Sequence, residues 1–569
     1  MMMMRKQRNR YKSQDINPEE IFIDSENLPN FDNDQFEGRM EKPISVKSIL
    51  FIGSVFMIVS LLFAFKAWGL QVARGDEFRE ISENNHLRHI LVFANRGVVY
   101  DRNKELLAWN VPRDEDREYD TRKYTDRPGF SNMLGYVKYP QKDKFGFYYD
   151  EEFTGINGIE KEFGDRISGV NGLQIVEVNA QLKATEGSVI RPPQHGESLT
   201  LTIDSEIQEQ LYKSIEKIVN EAGFVGGGGV IMDVTNGEII ALTTYPEFDS
   251  NVLTDGSDVE KIEGYFSDER NPFLNRIISG LYTPGSIVKP YMALAGLTEG
   301  VITEFTKILS TGSISIPNVY DPSNPSIFND WKAHGYVDVR EAIAHSSNVF
   351  FYEVGGGYKD QKGIGIANIE KYMRLFGFGD SNDSGLFAGP SGTIPNPEWK
   401  AENFDGDPWR VGDTYFTSIG QYGFQVTPFQ VIRALGAIAN GGTLYQPKIL
   451  KDEPTQIIRQ INEIPDEYYQ VVREGMREGA LVGSARGLNM KEVEIAAKTG
   501  TAELGVSKAN VNSWVTGFFP YENPKYAFAI VMERGRKGNL IGGVAVARGF
   551  FDWVKINRPD FIGLEPIDL

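Results

Sequence analysis

The sequence predicts an α/β protein carried on one membrane-spanning helix, with a mostly β region between the two. Three patterns point that way. Residues 49–65, ILFIGSVFMIVSLLFAF, are almost wholly apolar, and about 20 such residues span a bilayer core. Residues 207–221 place Ile207, Leu211, Ile215, Ile218 and Val219 at helical spacing, which reads as an amphipathic helix. Directly after it, 230–234 and 238–243 read as two strands joined by a turn at Asn236-Gly237.

Composition bounds the function. A chain of 569 residues has room for two to four domains, and 41% hydrophobic against 24% charged residues describes a largely globular protein. The net charge of −19 argues against nucleic-acid binding, which needs a basic face. There is no cysteine, so disulfides, thiolate zinc sites and cysteine nucleophiles are excluded. Five histidines (His86, His89, His195, His334, His345) leave few candidates for Ser-His-Asp chemistry.

In chain order, residues 1–47 are polar and loop-like, opening on Arg5, Lys6, Arg8, Arg10 and Lys12, and read as a disordered cytoplasmic tail. The apolar span, placed at 48–70, ends on an interfacial Trp68. Basic residues before it, Lys42 and Lys47 among them, put the N-terminus in the cytoplasm and the rest outside. The run is too long, and lacks a small-residue cleavage pattern, for a cleaved signal peptide. Residues 71–225 carry short alternating strands, as around Arg96–Arg102 and 199–204, and no catalytic cluster; they read as a scaffold or binding module. Gly226-Gly-Gly-Gly229 is expected to precede a strand. It lacks the Gly-Lys-Ser/Thr ending of a phosphate loop. The remainder, 226–569, is the candidate catalytic domain.

Three motifs carry chemistry. Thr283-Pro-Gly-Ser286-Ile-Val-Lys289 is a turn running into the apolar stretch 291–297, a buried helix. Ser286 and Lys289 then face one side one turn apart, a hydroxyl beside an amine that can take its proton. Ser346-Ser347-Asn348 follows a helix-like stretch at 339–344 and offers a hydroxyl and a carboxamide on one loop. Lys498-Thr499-Gly500-Thr501 reads as a strand in which glycine admits a ligand close to the backbone, with an amine and a hydroxyl for a carboxylate. Each motif alone is also what an ordinary helix start, turn or strand looks like. Together, about 60 and then about 150 residues apart with no competing site, they form one signal.

At these residues the chain resembles the penicilloyl-serine transferases, the penicillin-binding proteins and serine β-lactamases. Asn271-Pro-Phe-Leu-Asn-Arg276, Gly412-Asp-Thr414, Ile419-Gly-Gln-Tyr-Gly423, Thr427-Pro-Phe-Gln430 and Ala439-Asn-Gly-Gly442 are similar to stretches of class B penicillin-binding proteins. Arg96-Gly97 with Asp101-Arg102 resembles their pedestal. Gly158-Ile-Glu160 and Val176-Glu-Val-Asn179 resemble the elongation type, penicillin-binding protein 2. The resemblance covers roughly residues 90–550. Two departures are Ala497, where glycine is usual, and Tyr422, which interrupts Gly-Gln-Gly.

The resemblance implies a five-stranded antiparallel sheet carrying Lys498, flanked by helices, and an all-helical part carrying Ser346. It implies a membrane-anchored D,D-transpeptidase in which Ser286 attacks the D-Ala-D-Ala terminus of a peptidoglycan stem peptide. Lys289 acts as base, Ser346 relays the proton, and Asn348 holds the substrate amide. Lys498 and Thr499 hold the carboxylate, and backbone N–H groups of Ser286 and Thr501 beside Gly500 line an oxyanion hole. β-Lactams would acylate Ser286. A hydrolase of the same fold, or a non-catalytic sensor, stays open as an alternative. No cofactor is implied. Some elongation-type relatives bind zinc through Asp, His and Cys. Here Asp321, Asp330 and His334 are similar but Ile343 stands at about the cysteine's place, so these are expected to be loop hydrogen-bonders. Nothing between the anchor and residue 225 resembles a glycosyltransferase, so the family implies a separate polytopic SEDS-type partner such as RodA.

Overall fold

The computed structural model describes residues 45–77, 87–113, 118–178, 184–318, 321–381, 385–505, 507–539 and 541–564. Side chains of 87–89, 176–178 and 184–190 are excepted. The expected tail lies outside this set up to residue 44, as does Asn179. The chain forms two compact units, residues 1–88 with 178–183, and 89–177 with 184–569.

In the first unit, helix α1 (Val46–Trp68) starts at Ser45, whose hydroxyl accepts from Ser48 N. It continues as a π-helical turn, Gly69–Ala73, so the span begins slightly before and ends slightly after the expected limits. Its large apolar side chains, from Ile49 to Trp68, are exposed. A helix apolar all round and uncovered matches a lipid environment rather than a core.

In the second unit, strands β1 (Val99–Tyr100), β2 (Leu106–Val111), β3 (Thr121–Tyr124) and β4 (Leu199–Thr200) form one sheet in the order β4-β1-β2-β3. Arg96 and Arg122 both close on Glu160 beneath it, with Nε···O distances of 2.8 and 2.7 Å. All three side chains are buried. Burial pushes the Glu160 carboxyl up, but the two guanidiniums outweigh it and hold it below its ordinary value. Residues from the two expected pedestal motifs therefore meet in one ion triad.

A five-stranded sheet comprises β5 (Gly226–Asp233), β6 (Ile239–Tyr245), β7 (Ala496–Leu504), β8 (Asn510–Phe519) and β9 (Tyr526–Arg536), all antiparallel, in the order β6-β5-β9-β8-β7. Successive side chains alternate between faces. Phe528, Ile530 and Met532 pack with α2 (Ser205–Ala222) and α8 (Gly543–Asn557). Ala527, Ala529 and Val531 face the opposite core, which holds α3 (Lys289–Thr298) and α6 (Pro428–Ala439). Both faces are thus covered, which is why the strands read as nearly continuous apolar runs.

The four glycines do not precede the strand, as expected from sequence; they are its first half, paired with β9 from Gly226↔Glu533 to Gly229↔Ile530. A Cβ on Gly229 would lie 3.0 Å from Leu211 of α2, and one on Gly228 2.8 Å from Ile277. The glycines let neighbours on both faces sit against the strand backbone.

Candidate active site

Ser286 lies in a 3₁₀ turn, Gly285–Val288, that leads directly into α3, so Lys289 is the first α-helical residue and sits one tight turn on. Gly285 has φ +56 and donates its N–H to Gly420 O at 2.9 Å. Trp514 Nε1 donates to Thr283 O at 3.1 Å, fixing the turn from β8. Ser286 is half-buried and its hydroxyl makes no hydrogen bond among the described residues, whereas Lys289 is fully buried.

The second motif is a junction between two short helices, α4 (Val339–His345) and α5 (Asn348–Gly356). Ser346 caps α4 in the left-handed region (φ 59, ψ 40), Ser347 caps α5, and Asn348 is its first residue. A non-glycine residue in that region costs on the order of 1–3 kcal/mol and persists where surroundings hold it. Here it turns both the carbonyl and the hydroxyl of Ser346 toward α3.

The third motif lies on the edge strand β7, beside the Ser286 turn. A Cβ on Gly500 would lie 2.8 Å from Pro284 O and 2.9 Å from Ile287 Cγ2, so only glycine lets the strand run this close. Strand alternation points Lys498 inward while Thr501 is exposed. Ala497, at the first departure, is buried, with its carbonyl against Gly479 of α7 (Asp466–Leu481). Tyr422, at the second, has φ 65 and packs among Trp399, Phe404, Trp409 and Phe416.

The motifs converge on one hydroxyl. Lys289 Nζ donates to Ser346 O (2.8 Å), Asn348 Oδ1 (2.7 Å) and Ser346 Oγ (3.3 Å). Lys498 Nζ donates to the same Ser346 Oγ (2.9 Å) and to Thr499 O (2.8 Å). Burial pushes the Lys289 amine down to about 7, against the opposing charge of Asp330. Burial, and then the charge of Lys289, push Lys498 well below its ordinary value. Burial and the neighbouring Lys289 thus disfavour a charge on Lys498, and an anion opposite it would favour one. Near neutral pH the pair provides a free amine next to a serine that can pass a proton on.

Two groups outside the three motifs bear on the site. Asp330 is buried, and its carboxylate accepts from Ser310 Oγ, Ser347 Oγ, Asn348 N and Val349 N. Ser484 Oγ lies 2.6 Å from Thr499 Oγ1. Neither stands next to a motif in sequence: Asp330 is expected from sequence only as a loop hydrogen-bonder, from its likeness to a relative's zinc ligand, and Ser484 gives no signal. Asp321 accepts from Ser323 in a turn, and His334 Nε2 lies 3.6 Å from Asp330. No three Asp, Glu or His side chains among the described residues are arranged to hold a metal ion.

The penicillin binding protein transpeptidase domain matches residues 227–549, and the penicillin-binding protein dimerisation domain matches 116–201. The chain is 29% identical to peptidoglycan D,D-transpeptidase MrdA of Haemophilus influenzae, covering 78% of this chain and 71% of that protein. It is also 29% identical to MrdA of Escherichia coli, covering 82% and 76%. Among solved structures, PBP2 of Helicobacter pylori in complex with MreC superposes with a TM-score of 0.67 at 26% identity, covering 82% of this chain and 99% of that one.

Proposed function

The chain belongs to the penicillin-binding protein transpeptidase family, and from that premise we propose that it is a membrane-anchored peptidoglycan D,D-transpeptidase of the elongation type. The observation that carries the reading is the pair of buried lysine nitrogens 3.3 and 2.9 Å from one serine hydroxyl, beside a half-buried serine on a tight turn. Domain limits of 71–225 for the pedestal and 226–569 for the catalytic part are proposed with it, as is an N-terminus in the cytoplasm with the catalytic domain outside.

Ser286 Oγ attacks the penultimate D-alanine carbonyl of a stem peptide, and Lys289 as free amine takes its proton. Charge developing on the carbonyl oxygen is met by the backbone N–H groups of Ser286 and Thr501. The proton passes through Ser346 to the leaving D-alanine nitrogen, and the C–N bond breaks to give an ester on Ser286. Asn348 orients the peptide amide. The terminal carboxylate lies against Lys498 and Thr499, and its charge favours a protonated Lys498. An amine of a second stem peptide then attacks the ester, its proton returning along the same path, and a new amide releases Ser286. A β-lactam follows the first half and stays bound.

A membrane partner that polymerises glycan, of the RodA-like SEDS type, is proposed with it, supported by the family resemblance. The complex of Helicobacter pylori PBP2 with MreC supports assembly with other cell-wall proteins.

The test is intact-protein mass spectrometry of the full-length protein in detergent with benzylpenicillin, followed by peptide mapping. A stable adduct on Ser286, absent in Ser286→Ala, is expected. Rapid turnover to free penicilloate would favour a hydrolase, and no adduct on the folded protein would count against the reading.

A further inference from the structure

We propose that Asp330 is the positioning residue of the second motif, its carboxylate holding the start of α5 so that Asn348 and Ser346 both reach Lys289. The inference rests on the transpeptidase reading and concerns a residue that none of the three motifs contains. Asp330 follows a short strand, Ser326–Asn329, and its side chain has no exposure. One oxygen, Oδ2, accepts from Asn348 N (2.8 Å), Ser347 Oγ (2.9 Å), Val349 N (3.0 Å) and Ser310 Oγ (3.2 Å). The other, Oδ1, accepts from Trp331 N (2.9 Å). So much donation to one buried anion is more than a loop needs. Three of the five donors belong to residues 347–349, at the positive end of α5, where a carboxylate is favoured.

The geometric consequence falls on the reacting groups. Asn348 hangs from the backbone that Asp330 grips, and its Oδ1 is 2.7 Å from Lys289 Nζ. Ser346, two residues before it, supplies both a carbonyl and a hydroxyl to the same amine. Release of Asp330 would free the α4–α5 junction to leave its left-handed turn and carry all three acceptors away from Lys289.

The charges around this point are few. Lys289 meets Asp330 from one side and Lys498, from β7, across Ser346. Asp330 also faces His334 (3.6 Å), whose ring lies 6.3 Å from that of His345. Burial pushes the Asp330 carboxyl up, but the N–H groups of Val349 and Asn348, then Lys289, hold it below its ordinary value, so it stays an anion. That anion favours the protonated form of Lys289, and removing it leaves the amine free at lower pH.

The experiment measures the benzylpenicillin acylation rate of Ser286 in the full-length protein, from acid to alkaline pH, for wild type, D330N, S310A, N348A and D330N/N348A. D330N is expected to acylate at least about tenfold more slowly than wild type with its pH midpoint moved down. Its loss should be non-additive with that of N348A, since both act through one carboxamide. S310A removes one donor and keeps the anion, so it should show a smaller loss at an unmoved midpoint. A D330N rate equal to wild type overturns the proposal. So does a loss that multiplies fully with that of N348A at an unchanged midpoint. If D330N does not fold, S310A decides, and a wild-type rate there overturns the proposal. Wild-type protein that is never acylated at Ser286 instead fails the transpeptidase reading, and the positioning role falls with it.

Discussion

At the scale of single residues, the proposed mechanism needs one amine uncharged. Lys289 titrates near 7 because burial disfavours its ammonium form. As a base it works only when unprotonated, so the acylation rate of Ser286 should rise with pH up to about 7 and then level. Below that, it should fall about tenfold per pH unit. A benzylpenicillin acylation profile flat between pH 5 and 9 would remove Lys289 from this role. Lys289→Arg keeps the charge and the length, but a guanidinium cannot deprotonate in this range. It should lose on the order of 10²- to 10⁴-fold in acylation rate while remaining folded. The same measurement on Thr501→Ala should show little change, because Thr501 is exposed and its proposed contribution is a backbone N–H.

At the scale of elements, close approach matters more than side-chain identity. The edge strand β7 reaches the nucleophile turn only because Gly500 has no Cβ. Gly500→Ala should therefore push strand and turn apart, costing acylation far more than stability; equal rates for variant and wild type would contradict this. In β5 the consequence is reversed. Gly229→Val would drive a branched side chain into Leu211 of α2, remote from Ser286. Overpacking of that kind costs about 1–3 kcal/mol. Thermal unfolding should drop by several degrees with the acylation rate kept. The sequence places the glycine run before the strand because four glycines have no strand propensity, and only two packed faces make them part of it.

At the scale of the whole molecule, the region before the catalytic domain is fixed by charge. Arg96 and Arg122 share Glu160 in a buried triad, with Arg96 also donating to Phe153 O and Ser168 Oγ. Removing the shared partner leaves two buried guanidiniums uncompensated, and breaking such a pair costs about 3–5 kcal/mol. Glu160→Ala should make residues 90–200 an early target of limited proteolysis, while Ser286 in the surviving catalytic domain still takes up penicillin. Parallel loss of both, at the same protease dose, would mean that the two regions unfold as one. The catalytic part has contacts with this region of its own: Glu247 accepts from Gly129 N and Ser131 N at 2.6 and 2.9 Å.

What the sequence determined by itself is what lies within a turn or two of chain. Ser286 with Lys289, the 346–348 junction and the strand carrying Lys498 were legible because three- and four-residue spacings fix local geometry whatever surrounds them. The apolar span and the amphipathic α2 were legible because burial or lipid imposes a period on residue type. Their joint meaning came from order along the chain and from family likeness. Only the tertiary structure decided that two lysines share the Ser346 hydroxyl and that burial beside Lys289 pushes Lys498 below its ordinary value. It alone brought Asp330 to the start of α5 and joined Arg96, Arg122 and Glu160. Each of those is a contact between segments distant in sequence, and a protonation state or a hydrogen bond depends on what packs beside a group in space, which no local pattern records.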